Sequence, residues 1–156
     1  MNSSNKASAI INRIVSSYTV AFMKYLLGFR NAYTSLTPYE QEMLSIFAKG
    51  KKCIIEIGVF EGVTSKVFCQ SMDSDGKLYL IDPYFLNLRL EKLLNFSFPQ
   101  FIAKREIRKW KNQVEFIRQT SVEAAHTLLK SQIKAELIFI DAKHDYYSVL
   151  EDFKIW

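Results

Sequence analysis

The sequence predicts an α/β fold: a parallel β-sheet with helices on both faces, preceded by a helical N-terminal extension. Two observations carry that prediction. Between Cys53 and Trp156, four short apolar runs alternate with segments of helical patterning, the arrangement that builds a parallel sheet through crossover helices. The chain is also 49% hydrophobic and 24% charged over 156 residues, a globular composition with enough apolar material for a sizeable core. Right-handed crossovers fix the winding of such a sheet, and its ligands sit beyond the carboxyl ends of the strands. The residues that follow each strand are therefore the candidates for function.

The chain divides at about residue 50 into a helical extension, 1–50, and the sheet domain, 51–156. Residues 1–6 are polar and read as a frayed end. From about Ala7 to Phe29 the apolar residues Ile11, Ile14, Tyr18, Ala21, Phe22, Tyr25 and Phe29 recur at helical steps. That pattern fits a helix packed on its own domain or on a second copy, with a membrane-surface helix as the alternative. Thr37-Pro38-Tyr39-Glu40 is a helix start with a capping box and Pro at the first position; the helix runs to Lys49 and stops at Gly50. Cys53–Ile57 reads as a buried strand, Gly62 or Val63 to Met72 as a helix, and Ser74-Asp75-Gly76 as a turn. Lys77–Asp82 is the second strand, ended by Pro83. The aromatic stretch 84–98, with Tyr84, Phe85, Phe96 and Phe98, has no clear period; it offers either core packing or a lid over an acceptor pocket. A helix follows from Pro99 to Lys111, with Ser97 or Phe98 just before it. Val114–Arg118 is the third strand, Ser121 caps a helix from Val122 to Lys130, and Glu136–Asp141 is the fourth strand. Tyr146–Trp156 is helical, with Val149, Leu150 and Phe153 on one face.

Composition excludes several classes. The longest apolar stretch, Ile14–Phe29, contains Ser16, Ser17, Thr19 and Lys24 and falls short of the roughly 20 apolar residues of a membrane span. No small-residue cleavage site follows it, so the sequence reads as cytoplasmic. Cys53 and Cys69 are too few for a disulfide framework and read as buried thiols in a reducing compartment. The net charge of +5 gathers at the N-terminus and in Lys104, Arg105, Arg108, Lys109, Lys111 and Arg118. Such a block can attract phosphates, but no nucleic-acid motif accompanies it, and a solvated helix face is the plainer explanation.

Three strand ends carry chemistry. The first reads Glu56-Ile57-Gly58-Val59-Phe60-Glu61-Gly62, a turn in which Gly58 and Gly62 admit close backbone approach. Phe60 and Glu61 break the dinucleotide fingerprint, and no phosphate-binding Lys follows Gly62. Carboxylates beside the turn suit a ligand with positive charge; the alternative is a tight turn with a solvated Glu61. The second strand ends at Asp82, where a carboxylate can accept from both ribose hydroxyls or simply cap a turn. The fourth ends at Asp141, three residues before His144. A carboxylate there suits a hard divalent cation, and a neutral imidazole suits a base for a hydroxyl proton.

Taken together, Glu56-x-Gly58-x-x-x-Gly62, Asp82, and Phe139-Ile140-Asp141-Ala142-Lys143-His144-Asp145-Tyr146 with Asp152 and Trp156 downstream resemble class I S-adenosylmethionine-dependent methyltransferases. The nearest branch is the O-methyltransferase-like group whose fourth strand ends in Ile-Asp-x-x-His-x-Tyr. The resemblance covers roughly residues 50–156 and implies a Rossmann-like sheet, with four strands present of about seven expected. It implies that Glu56, Gly58 and Gly62 belong to the cofactor turn, that Asp82 holds the ribose and that Ser121 lies near the adenine. The family often has a polar or acidic side chain at that last turn, and Gln119-Thr120-Ser121 has no acid. Asp141 and His144 are the implied catalytic residues, with Asp141 a ligand for a divalent cation such as Mg in metal-dependent members. The implied function is methyl transfer to a hydroxyl of a small molecule. The alternative is a non-catalytic nucleotide-binding or assembly fragment of the same fold, because the strands expected after the fourth are missing and the chain ends as if truncated. On that basis the chain alone is expected to be inactive and to self-associate through its N-terminal helices or the open edge of the fourth strand, with Trp156 awaiting later elements to pack beneath.

Overall fold

The computed structural model describes residues 18–85, 89–142 and 145–156, apart from the side chains of residues 89 and 90. Four parallel strands form one sheet: β1 (Cys53–Ile57), β2 (Lys77–Ile81), β3 (Val114–Ile117) and β4 (Leu137–Ile140), in the order β3-β2-β1-β4. In register, Glu56 of β1 lies between Leu80 of β2 and Phe139 of β4. The two inner strands are the most buried, with Ile54, Ile57, Leu78, Leu80 and Ile81 at 1% exposure or less. A central strand covered on both faces needs apolar side chains on both, which is why β1 is a continuous run broken only by Glu56. The outer strands β3 and β4 are half-buried throughout.

Most of the helices start where a side-chain cap satisfies their first amides. Thr37 and Glu40 form the expected capping box on α2 (Pro38–Ala48). The next helix, α3 (Val63–Ser71), begins at Gly62 with no side-chain cap. Within the aromatic stretch a short helix, α4 (Arg89–Leu94), forms, and α5 (Phe98–Glu106) follows with Ser97 as its cap. Instead of continuing to Lys111, α5 leaves helical geometry at Ile107 and tightens into a 3-10 turn at Arg108–Trp110. That break turns Ile107 inward to 2% exposure. In α6 (Ser121–Lys130) the cap is Thr120, not Ser121, because Glu123 stands at the box spacing from Thr120 and the two side chains exchange bonds with each other's N–H. The last helix, α7 (Tyr146–Ile155), is capped by Asp145. The N-terminal helix, α1, is described over residues 18–26. It closes before Phe29, since Gly28 N–H donates to the Tyr25 carbonyl and Phe29 N–H to that of Lys24. Phe29 is 77% exposed.

Helices cover both faces of the sheet. Ile54, Leu78 and Leu80 pack with Phe68 and Cys69 of α3, Ala48 of α2 and Ala103 of α5. On the opposite face Ile55, Ile57 and Ile81 pack with Ala124 and Leu128 of α6. Trp156 joins this second layer and its indole N–H donates to Ser121 Oγ at 2.8 Å. It is therefore seated on the existing core and half-buried there. On α7 the expected apolar face turns inward only in part: Leu150 is half-buried, Val149 and Phe153 are exposed, and the fully buried residue is Asp152.

A third cluster ties the extension to the sheet domain. Phe22 stacks on Phe98 at 4.2 Å between centroids, with Tyr25, Phe101 and Ile102 around them. Phe96 and Phe98 are thus core residues, as is Tyr84, whereas Phe85 is exposed. Part of the basic block is also structural: Lys104 lies over the Phe116 ring, Arg105 over Tyr25, and Arg118 donates to the carbonyls of Pro83 and Tyr84. Cys69 is buried, Cys53 is only half-buried, and both are free thiols. Among the described residues no helix is long and apolar enough to cross a membrane.

Candidate functional site

The carboxyl ends of β1, β2 and β4 open into a cavity of about 730 Å³. Its floor is the turn after β1, which two backbone requirements shape. Gly58 has φ +88, and a Cβ there would overlap the Asp141 carbonyl and fall 2.7 Å from Ala142 Cα. Only glycine lets the β1 turn pass that close to the end of β4. Gly62 has φ +75, and a Cβ there would sit 2.8 Å from Ala103 Cα of α5. Gly58 lines the cavity; Gly62 lies behind it as the start of α3.

Acidic side chains hold this turn in place. Asp82 Oδ2 accepts from the amides of Val59 and Phe60 at 3.0 and 3.1 Å, and Oδ1 accepts from Tyr84 N–H at 2.8 Å. One carboxylate at the end of β2 thus fixes both the β1 turn, including the left-handed Phe60, and its own exit loop. Glu61 is not solvated as the sequence allowed. It is 2% exposed, is paired with both guanidinium nitrogens of Arg30 at 2.7 and 2.9 Å, and accepts from Tyr33 N–H. A buried carboxylate requires such a partner, and the partner comes from the extension. This clasp brings Tyr33, Thr34 and Ser35 to the cavity wall. Tyr33 and Phe60 meet edge to face at 6.2 Å.

Glu56 does not line the cavity. Its side chain is buried in the layer between β1 and α3, where Oε2 accepts from Ser65 Oγ at 2.6 Å and Oε1 has no partner among the described residues. Burial pushes its carboxyl up to about 8, reinforced by Asp141 and Asp82 and opposed by the Ser65 hydrogen bond. The nearby Cys69 thiol is pushed up to about 12 by burial, with the Glu56 charge adding to it.

The remaining sequence candidates divide as follows. Asp82, Gly58, Ser121 and Asp141 all line the one cavity. Ser121 contributes its hydroxyl oxygen to Trp156, which fixes the start of α6 against α7. His144 lies outside the described residues. Among the described residues no group of three or more His, Cys, Asp or Glu side chains is placed to hold a metal ion. The ligand set expected around Asp141 therefore does not assemble from them, and no step is assigned to a cation. Sequence reasoning gave no role here to Arg30, Tyr33 or Asp152. The available signal was Glu61 itself: an acid between two glycines in a strand–helix turn needs a cation if buried, and residues 1–30 carry four with no acid.

Residues 55–156 match the family described as Methyltransferase domain. The chain belongs to that family. Its sheet and crossover helices are the class I S-adenosylmethionine-dependent methyltransferase fold, and solved structures share it. The O-methyltransferase TomG from Streptomyces achromogenes, involved in tomaymycin synthesis and solved with SAM, aligns at a TM-score of 0.61 and 19% identity, over 78% of this chain and 50% of its own. An O-methyltransferase from Bacillus cereus in complex with SAH aligns at 0.59 and 18%, over 89% and 61%. A methyltransferase from Geobacter sulfurreducens aligns at 0.57 and 14%, over 99% and 66%. This methyltransferase domain thus spans half to two thirds of the length of those structures. No curated protein matches it in sequence.

Proposed function

We propose that the cavity binds S-adenosylmethionine and that this domain serves methyl transfer to a hydroxyl of a small molecule. The observation that carries the reading is the cavity itself, which runs from the uncapped start of α3 past Asp82 to the α6–α7 layer. The amino-acid end of the cofactor suits the first of these places. There the unpaired α3 amides and the hydroxyls of Thr34, Ser35 and Thr64 can receive a carboxylate. Asp82 stands midway with three of its roughly four lone-pair sites used by backbone amides, which leaves capacity for a ribose hydroxyl. Ser121 marks the base end. Glu56 and Gly62 act behind the wall, Glu56 by holding Ser65 at the start of α3 and Gly62 by admitting α5.

When bound, S-adenosylmethionine supplies a methyl group on a positively charged sulfonium. Asp141 and Asp82 face the cavity and favour that charge. The domain's main contribution is to position donor and acceptor in line. A hydroxyl acceptor also needs a proton acceptor; His144 and Asp141 are the candidates, and their position after β4 is the reason. Tyr33, Phe60 and Phe85 at the mouth supply exposed aromatic surface for an organic acceptor.

Calorimetric titration with S-adenosylhomocysteine tests the cofactor. Saturable binding is expected, and Asp82→Ala should weaken it about tenfold or more, because hydrogen bonds to a carboxylate are worth about 1.5–3 kcal/mol and the turn loses its anchor as well. Equal binding by wild type and variant removes Asp82 from the site, and tight binding of NAD instead defeats the cofactor reading. Turnover tests the chemistry: His144→Ala should lower transfer to a hydroxyl acceptor with cofactor affinity nearly unchanged.

A second reading has its own observation. β4 pairs only with β1 among the described strands, and α7, which follows it in the chain, exposes Tyr146, Tyr147 and Phe153. An open strand edge and exposed aromatics each suit association with another chain. Binding of the cofactor without turnover by the 156-residue chain would favour that assembly role.

A further inference from the structure

Asp152 has no hydrogen bond from its carboxylate to any described residue, although it is only 5% exposed and lies on the cavity wall. A carboxylate in that setting favours a donor that enters the cavity and hydrogen-bonds to it. Of the other acids nearby, Asp82 is held by three amides, Glu61 by Arg30 and Asp145 by Ser148, while Glu151 on the same helix is exposed. Asp152 belongs to the α6–α7 end of the cavity. It precedes Trp156 by one helical turn, its carbonyl accepting the Trp156 N–H, and the Trp156 indole holds Ser121 at the start of α6. Val122 supplies apolar wall beside it.

Resting on the cofactor reading above, we propose that Asp152 is the specificity-determining residue for the cofactor's base, accepting a hydrogen bond from the exocyclic amine of adenine. The direction of the ligand follows from charge. Its carboxylate belongs at the donor-rich start of α3, so its base reaches the opposite end, where an apolar wall meets two carboxylates of α7, the exposed Glu151 and the buried Asp152. A planar base with an amine on its edge fits such a wall. A base with a carbonyl at the same position does not, because two acceptors would face each other in a partly desolvated site. The turn after β3, Gln119-Thr120-Ser121, carries no acid, and α7 supplies one to the same end of the cavity.

The test compares S-adenosylhomocysteine with S-inosylhomocysteine, which replaces the amine by a carbonyl, in calorimetric titrations of the full chain. Wild type should favour the adenine compound by about tenfold to a hundredfold, the range for one hydrogen bond to a charged acceptor. Asp152→Asn offers both an acceptor and a donor, so the preference should collapse to near unity or reverse. Equal binding of the two compounds by wild type overturns the proposal without any variant, which keeps it decidable should Asp152→Asn fail to fold. A variant that weakens both compounds alike and keeps the preference also overturns it, and places Asp152 against the ligand's ammonium instead. Failure of wild type to bind either compound defeats the cofactor reading itself, and this proposal with it.

Discussion

Glu56 is the most deeply buried acid among the described residues. Its carboxyl is wholly buried, is held by one hydroxyl, and is raised by burial from 4.5 to about 8. The folded state therefore holds a proton that the unfolded chain releases between those two values. The stabilisation is complete below about pH 4.5 and is lost as pH rises through about 8. Glu56→Gln removes the titration. The variant should match wild type near pH 5 and be the more stable protein near pH 9, read as urea midpoints at both values. A pH–stability profile that keeps the same slope in the variant assigns that slope to other groups. The same residue shows how a motif position can serve a site without touching it, since Ser65, its partner, sits in the first turn of α3.

At the scale of elements, the turn after β1 is held from two sides. β2 reaches it through Asp82, and the extension reaches it through Arg30 and Glu61. The Arg30 guanidinium also donates to the Ala21 carbonyl and lies over Tyr25, so α1 and the turn share one cation. Arg30→Ala and Glu61→Ala should each destabilise by about 2–4 kcal/mol, since either leaves a desolvated charge behind. The double variant should cost clearly less than the sum, with a coupling of about 2 kcal/mol or more. Urea unfolding of the four proteins checks this; additive losses would show that the clasp carries no mutual energy. Because Tyr33 N–H is bound to the same carboxylate, the singles should also open residues 30–35 to proteolysis.

At the scale of the whole molecule, the sheet has one well-covered centre and two half-buried edges. β4 offers Leu137-Ile138-Phe139-Ile140 without Pro to blunt it, and α7 exposes Tyr147 at 80% and Phe153 at 79%. The 156-residue chain is expected to self-associate in sedimentation, and Tyr147→Lys with Phe153→Lys should shift it toward monomer with little change in melting temperature, because both side chains are largely exposed. A monodisperse wild-type monomer would show that this face stays solvated. In hydrogen exchange β4 should be less protected than β1, which has a partner strand on each side.

The sequence by itself determined the strands, their parallel connection and several residues that line the cavity, because each rests on local information. A buried strand needs an unbroken apolar run, a capping box needs its fixed spacing, and a strand–helix turn needs glycine. Gly58, Asp82, Ser121 and Asp141 were legible for that reason. Element ends were less so: α5 stops at Glu106 because Ile107 finds the core, and α6 starts one residue early because Thr120, not Ser121, meets Glu123. What only the tertiary structure decided is partnership. Nothing local to Glu61 names Arg30, 31 residues away, and nothing local to Asp152 says that it faces a cavity and not solvent. Period alone put Val149 and Phe153 on a candidate core face, yet α7 docks through Asp152 and Trp156. Which side of a helix is inside depends on the neighbours it meets, and those contacts form between residues far apart in the chain.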